Sequence, residues 1–287
     1  MVNVSPAALH GPTGLRVLEA GKHLWGEKPL AATVAEGRRL LEVAGRLGLR
    51  VGCAPDTFMG PALQTARQLL DGGAAGEAFA ASAVVAMPPP ESWHPRPVQF
   101  YGPAAGPLYD MGPYYLTALV FLLGPVARVA GFGTIAPRER RTPGGGTPIA
   151  PAVPTHEVGV LELASGAVVS LSASFDAAAL AGSMQVHGTD GTLLLPDPNG
   201  GAGPVALLRR GSREWEEQPH ATVGGETRCA GLEDMIAAIG TGRPHRASGE
   251  LALHVLDVME SLRRSVDGGG VVRVETTCAR PEPMPLG

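Results

Sequence analysis

Two short stretches hold side chains whose types and spacing suit chemistry. In AGKHLWGEKPLA, Lys28 is fixed between the carboxylate of Glu27 and the rigid ring of Pro29. It follows a short strand, and the carboxyl ends of parallel strands are where α/β sheets bind ligands. A surface lysine closing a strand is the plainer alternative. In GPLYDMGPYYLTALVFLLGPV, Asp110 stands at a helix start and Tyr114 follows four residues later. That spacing puts the two side chains on one helical face. Metal hydrolysis finds no support, because no H-x-x-x-H or clustered His/Asp set appears. Cys53, Cys229 and Cys278 are too far apart for a CxxC metal pair or a disulfide framework, and read as small packing residues of a reducing compartment.

These residues need a frame. VNVS reads as a short strand and ALHGPTGLRVLEAG as a helix ended by Gly21. KHLWGEKP is a strand running into a proline turn. Thr33 and Glu36 form a T-x-x-E capping box before the apolar face of Leu40, Leu41, Ala44 and Leu47, and Gly48 stops that helix. LRVGCAP and PALQTARQLLDGG repeat the strand and helix pattern. Alternation of this kind predicts a parallel α/β sheet over the first seventy or so residues.

Beyond Gly76 the style changes. FAASAVVAM leads into the loop PPPESWHPRP, a helix runs from about Tyr109 to Leu123, and antiparallel strands follow. In AVVSLSASF, Val169, Leu171, Ala173 and Phe175 alternate with Ser170, Ser172 and Ser174, which predicts a sheet with one packed and one wetted face. Strands at MQVHG, TLLLPD, VALLRR and REWEEQ precede the helices LEDMIAAIG and ELALHVLDVMESLRRSV and a last strand, VVRVE. The loop from Ala136 to Pro154, rich in proline, glycine and arginine, is expected to move. The fold class is thus α/β: a partial Rossmann-like parallel sheet (1–76), then an α+β unit with a mostly antiparallel sheet (77–287).

A hydrophobic fraction of 44% over 287 residues is enough to fill a real core. The net charge of -4 leaves no basic field for a phosphate backbone, so nucleic acid is not an expected partner. The longest apolar run, LTALVFLLG, falls well short of a bilayer crossing, and MVNVSPAALHGP lacks the regions of a secretion signal. The expected location is the cytoplasm, with no membrane partner.

The order SPAALH, AGKH, EKPLA and DMGPYY resembles the Gfo/Idh/MocA family of NAD(P)-dependent oxidoreductases, and VHGTDGTLLLPDP and RPHRASGELALHVLDVM extend the likeness over almost the whole chain. The resemblance implies a Rossmann domain followed by an α/β domain that supplies a substrate wall and an oligomer interface. It implies hydride transfer between NAD or NADP and a hydroxyl or carbonyl carbon of a sugar, polyol or related small molecule. Lys28 corresponds to the family's EKP lysine, which hydrogen-bonds the reacting oxygen. Ser5, Pro6 and His10 fall on the turn lining the nicotinamide side, with Glu27, Lys28 and Pro29 beside them. Asp110 matches the aspartate of the family's D-x-G-x-H, and Tyr114 stands where that motif has its proton-transfer histidine.

That departure matters, because histidine titrates near pH 6.5 and tyrosine near about 10. A tyrosine base needs roughly 4 kcal/mol of preferential phenolate stabilisation, part of which a neighbouring Lys28 ammonium supplies. His94 in ESWHPRP and His156 at its strand start are the alternative proton carriers, and Trp93 and Tyr101 are candidates to stack on a sugar face. A dinucleotide fold also opens with strand, G-x-G-x-x-G and helix. The one match, GFGTIA from Gly131 to Ala136, runs into PRERRTPGGG and is a decoy. The resemblance therefore implies that roughly 70 residues of βαβαβ are absent from the start. The alternative is an inactive remnant that only oligomerises or binds sugar.

Overall fold

The structure, a computed structural model, describes residues 1–143, 145–146, 148–221 and 228–285. Strands β1 (Val2–Asn3), β2 (Leu24–Gly26) and β3 (Val51–Cys53) form a parallel sheet in the order β1-β2-β3. Helices α1 (His10–Glu19) and α2 (Val34–Leu47) make the crossovers. Helix α2 forms as its capping residues dictate. The Thr33 hydroxyl accepts from the Glu36 amide (3.3 Å), the Glu36 carboxylate accepts from the Ala32 amide (3.2 Å), and Gly48 ends the helix at φ 65°. Leu40, Val43 and Ala44 are buried on its inner face.

The second sheet has nine strands: β4 (Ala78–Ala86), β5 (Val126–Thr134), β6 (His156–Leu163), β7 (Val168–Ser174), β8 (Ala181–Gly188), β9 (Gly191–Leu195), β10 (Val205–Arg209), β11 (Glu216–Gln218) and β12 (Val272–Arg273). Their order is β11-β10-β9-β8-β4-β7-β6-β5-β12, and every pairing is antiparallel except β4 with β7. The serine alternation holds through Ala173 and then breaks, since Ser174 is buried as well. Val169, Leu171 and Ala173 are buried, whereas Val84, Val158, Val160 and Val168 stand exposed on the open face. GFGTIA runs along β5 with no helix after it, so it has no dinucleotide-turn geometry.

Helix α3 (Pro61–Asp71) does not return the chain to the parallel sheet. It packs against α4 (Pro107–Leu123), with Arg67 donating to the Phe121 carbonyl at 2.9 Å. Helices α5 (Ala230–Thr241) and α6 (Gly249–Gly268) lie beyond Gly76 in sequence but touch β3, and α6 also packs on α2, α4 and β5. The two sheets therefore share α6. No helix of the described residues is long and apolar enough to cross a membrane.

Within the loop expected to move, Arg140 and Ile149 make fixed contacts, and residues 144 and 147 lie outside the described residues. Arg140 and Ile149 exchange backbone hydrogen bonds (3.0 and 2.8 Å), and Ile149 packs with Tyr101 and Phe175. The buried Arg140 guanidinium pairs with Glu91 (3.1 Å) and Asp176 and lies 4.9 Å from the Tyr101 ring centroid.

Candidate active site

The site lies at the carboxyl ends of the three parallel strands. After β1, Asn3 turns the chain: its side-chain oxygen accepts from the Ser5 hydroxyl (2.7 Å) and amide (3.2 Å). The buried His10 ring bridges to the next strand end, with Nδ1 2.6 Å from the Pro29 carbonyl and Nε2 2.8 Å from that of Ser5. Both ring nitrogens are thus engaged with backbone. His10, expected to line the nicotinamide pocket directly, acts as a brace between the Ser5–Pro6 turn and the Lys28–Pro29 turn.

After β2, Glu27 is exposed and accepts from the Lys28 amide (3.2 Å), and the Lys28–Pro29 peptide bond is cis. Lys28 reaches α4. Its Nζ donates to the Asp110 carbonyl (2.5 Å) and to Asp110 Oδ1 (2.8 Å). Side-chain exposures of 16% and 23% shield this ion pair from bulk water, unlike the ordinary surface pair. Helix α4 starts at Gly106, whose φ of 91° excludes most side chains, followed by Pro107 at the first position. Asp110 occupies the first turn, where an anion meets the positive end of the helix dipole. One turn on, Tyr114 is buried, and Lys28 Nζ lies 5.3 Å from its ring centroid. Lys28 and the Asp110–Tyr114 pair, more than eighty residues apart in sequence, are brought into one cluster.

Sequence reasoning missed the rest of the cluster. Arg228 lies 5.4 Å from the Tyr114 ring centroid, and its Nη1 donates to the Tyr114 hydroxyl at 3.1 Å. Its Nη2 is held by the side-chain oxygen (2.8 Å) and the carbonyl (3.3 Å) of Asn199. The Asn199 amide in turn donates to Asp197, which also accepts from the Tyr115 hydroxyl. After β3, the buried Asp56 accepts from the Gly231 amide at 2.9 Å and so caps the start of α5, just beyond Arg228. Burial raises the Asp56 pKa, partly offset by that amide bond and by Arg228. Cys53, which lines a small pocket with Lys28 and Pro29, is buried, and desolvation pushes its thiol pKa up, disfavouring the thiolate. No sequence motif surrounds Arg228 or Asn199, so only the fold exposes them.

The other expected residues make their recorded contacts outside this cluster. His94 stacks edge-on with Trp93 and Phe100, and its Nδ1 accepts from the Arg96 amide (3.0 Å) within its own loop. His156 opens β6 between Thr134 and Ser174, and among the described residues its ring makes no hydrogen bond. Tyr101 packs inside, with no ring face open to a sugar. It is 2% exposed, its hydroxyl is bound to Glu91, and Arg140 covers its ring. Among the described residues no group of His, Cys, Asp and Glu is arranged to hold a metal.

Comparison with known proteins fits this geometry. Residues 2–54 match the model of the oxidoreductase family with an NAD-binding Rossmann fold, and residues 63–194 match the GFO/IDH/MocA C-terminal domain. A dTDP-3,4-didehydro-2,6-dideoxy-alpha-D-glucose 3-reductase of Streptomyces violaceoruber is 39% identical over 128 residues, 44% of this chain and 36% of that protein. The chain thus aligns with little more than a third of that relative's length. Among solved structures, an NAD-binding oxidoreductase from Klebsiella pneumoniae superposes with a TM-score of 0.82 at 22% identity, over 95% of this chain and 80% of the other. Levoglucosan dehydrogenase in complex with NADH and levoglucosan gives 0.83 at 19% identity, over 96% and 80%. These two likenesses concern the fold. With the two family models covering more than half of its residues in the expected order, the chain belongs to the Gfo/Idh/MocA family of oxidoreductases.

Proposed function

We propose that the chain transfers a hydride between a nicotinamide cofactor, NAD or NADP, and the carbinol or carbonyl carbon of a sugar, polyol or nucleotide-linked sugar. The observation that carries this reading is the convergence of Lys28, Asp110 and Tyr114 at the carboxyl ends of parallel strands. When bound, the nicotinamide supplies or accepts the hydride at C4. The protein's own residues manage the oxygen. An ammonium has three donors, and Asp110 takes two of those of Lys28, leaving one for the substrate oxygen. The Tyr114 hydroxyl accepts from Arg228, so its own proton is free to pass to that oxygen during reduction, or its lone pair to take one during oxidation. The relatives' reported sugars supply the substrate class.

The Ser5–Pro6 turn, Glu27, Lys28 and Pro29 suit the nicotinamide half of the cofactor. The pyrophosphate half is normally held by a glycine turn at a helix N-terminus. Among the described residues no such turn follows a parallel strand, and this polypeptide is expected to bind NADH or NADPH with a dissociation constant on the order of millimolar. Calorimetric titration checks this, and low-micromolar binding contradicts it.

The open face of the nine-stranded sheet supports self-association. Val84, Val158, Val160 and Val168 form an exposed apolar set among serines, which suits a second copy of the chain. Light scattering is expected to give a dimer or tetramer, and Val160→Asp a smaller species with unchanged circular dichroism. A wild-type monomer at micromolar concentration contradicts the proposal. The same face, without catalysis, is what an oligomerising module would keep. The Lys28 cluster favours the enzyme, because a purely structural module has no use for a shielded lysine aimed at a tyrosine.

A further inference from the structure

We propose that Arg228 is a positioning residue that fixes the direction in which Tyr114 gives its proton. The inference rests on the dehydrogenase reading and adds a residue and a role to it. A guanidinium only donates hydrogen bonds, so the contact of Arg228 Nη1 with the Tyr114 hydroxyl at 3.1 Å makes the phenol oxygen the acceptor. The phenol proton is thereby turned away from Arg228. Lys28, 5.3 Å from the ring centroid, marks where the reacting oxygen sits. Arg228 itself is held from two sides. Asn199 takes Nη2 through its side-chain oxygen and its carbonyl. Asp56 caps Gly231, and Cys229, between Arg228 and Gly231, adopts a left-handed conformation at φ 72°, which fixes the backbone just beyond Arg228. A non-glycine residue in that region is uncommon and points to a backbone held by its surroundings.

In the reducing direction the balance is simple. The hydride to the carbonyl carbon would come from the bound nicotinamide, and as it arrives the C=O π pair would take the Tyr114 proton, the new O–H bond forming as the phenol O–H bond breaks. The electron pair left on the Tyr114 oxygen keeps its hydrogen bond from Arg228. A tyrosine with no fixed acceptor bond would leave its proton free to rotate, and geometry of this kind sets much of the rate of proton transfer.

The Arg228–Tyr114 bond is testable without cofactor. The chain has four tyrosines, so ring-carbon NMR of protein labelled at tyrosine Cζ gives a small set of signals, with Tyr114 identified by its loss in Tyr114→Phe. Arg228→Met is expected to move the Tyr114 signal while those of Tyr101, Tyr109 and Tyr115 stay, Arg228→Lys to restore it in part, and Asn199→Ala to move it less in the same direction. In turnover with excess cofactor, Arg228→Met is expected to lower kcat by about tenfold or more with little change in KM, and to have no further effect in a Tyr114→Phe background. If Arg228→Met disturbs all four signals, Asn199→Ala decides by the same criterion. A Tyr114 signal unmoved in both variants, or an Arg228→Met loss equally large in the Tyr114→Phe background, overturns the proposal. A moved signal in a protein that turns over no sugar retains the contact and overturns the catalytic role, the failure then lying with the dehydrogenase reading.

Discussion

Replacing Lys28 with alanine is expected to lower kcat/KM at least about a hundredfold, or roughly 2.7 kcal/mol of transition-state stabilisation. The size follows from where the ammonium sits. It is shielded, it is aimed by two bonds from Asp110, and it has one donor left for an oxygen that gains charge as hydride moves. Removing it also leaves Asp110 without its cation in a partly desolvated place. Tyr114→Phe is expected to lose a comparable factor, because the ring still fills its buried position while the proton carrier is gone. Steady-state kinetics in excess cofactor checks both. A silent Tyr114→Phe together with a crippled His94→Ala or His156→Ala would transfer the proton role to a histidine.

The second large effect concerns stability. Arg140→Met is expected to destabilise the fold by about 3 to 5 kcal/mol, since removing one partner strands the charge of the other. Here two carboxylates are stranded, Glu91 and Asp176, with side-chain exposures of 11% and 19%. Arg140 Nε has no partner and is the only such buried side-chain atom among the described residues, so the cation is well but not fully satisfied. The pair joins the loop carrying Trp93 and His94 to the one around Ile149 and Thr155, and Thr155 also donates to Asp176. Thermal unfolding should show Tm lower by on the order of 10 °C. An unchanged Tm means that the cluster contributes little.

Much of this was legible because local rules and tertiary demands agreed. Helix α2 carries its own start and stop signals, Thr33 with Glu36 and Gly48, and β7 spells its two faces in serines and aliphatics. Lys28 and the Asp110–Tyr114 pair were legible because each sits in a short motif at an element's end. The remainder depends on contacts between distant parts of the chain. Strand β4 enters the middle of the second sheet and pairs parallel with β7, and its run of alanines gives no hint of that neighbour. Arg228 meets Tyr114 across 114 residues, and nothing in its own surroundings sets it apart from other arginines. His10 and Tyr101 look available in sequence. The fold spends both nitrogens of the first on carbonyls and buries the second under Arg140. Composition likewise gave no sign of the buried Arg140 ion pair in the loop from Ala136.

The central claim is that the Lys28 cluster is the seat of hydride transfer. It is tested most directly with NADH and NADPH deuterated at both C4 positions, supplied in large excess so that weak affinity is overcome by mass action. A panel of free and nucleotide-linked keto sugars is added, and the product is read by mass spectrometry. The predicted result is deuterium on the new carbinol carbon of at least one sugar, formed at least about a hundredfold more slowly by Lys28→Ala. Folded wild-type protein that transfers no deuterium to any of them, or a Lys28→Ala variant that labels product at the wild-type rate, would contradict the account.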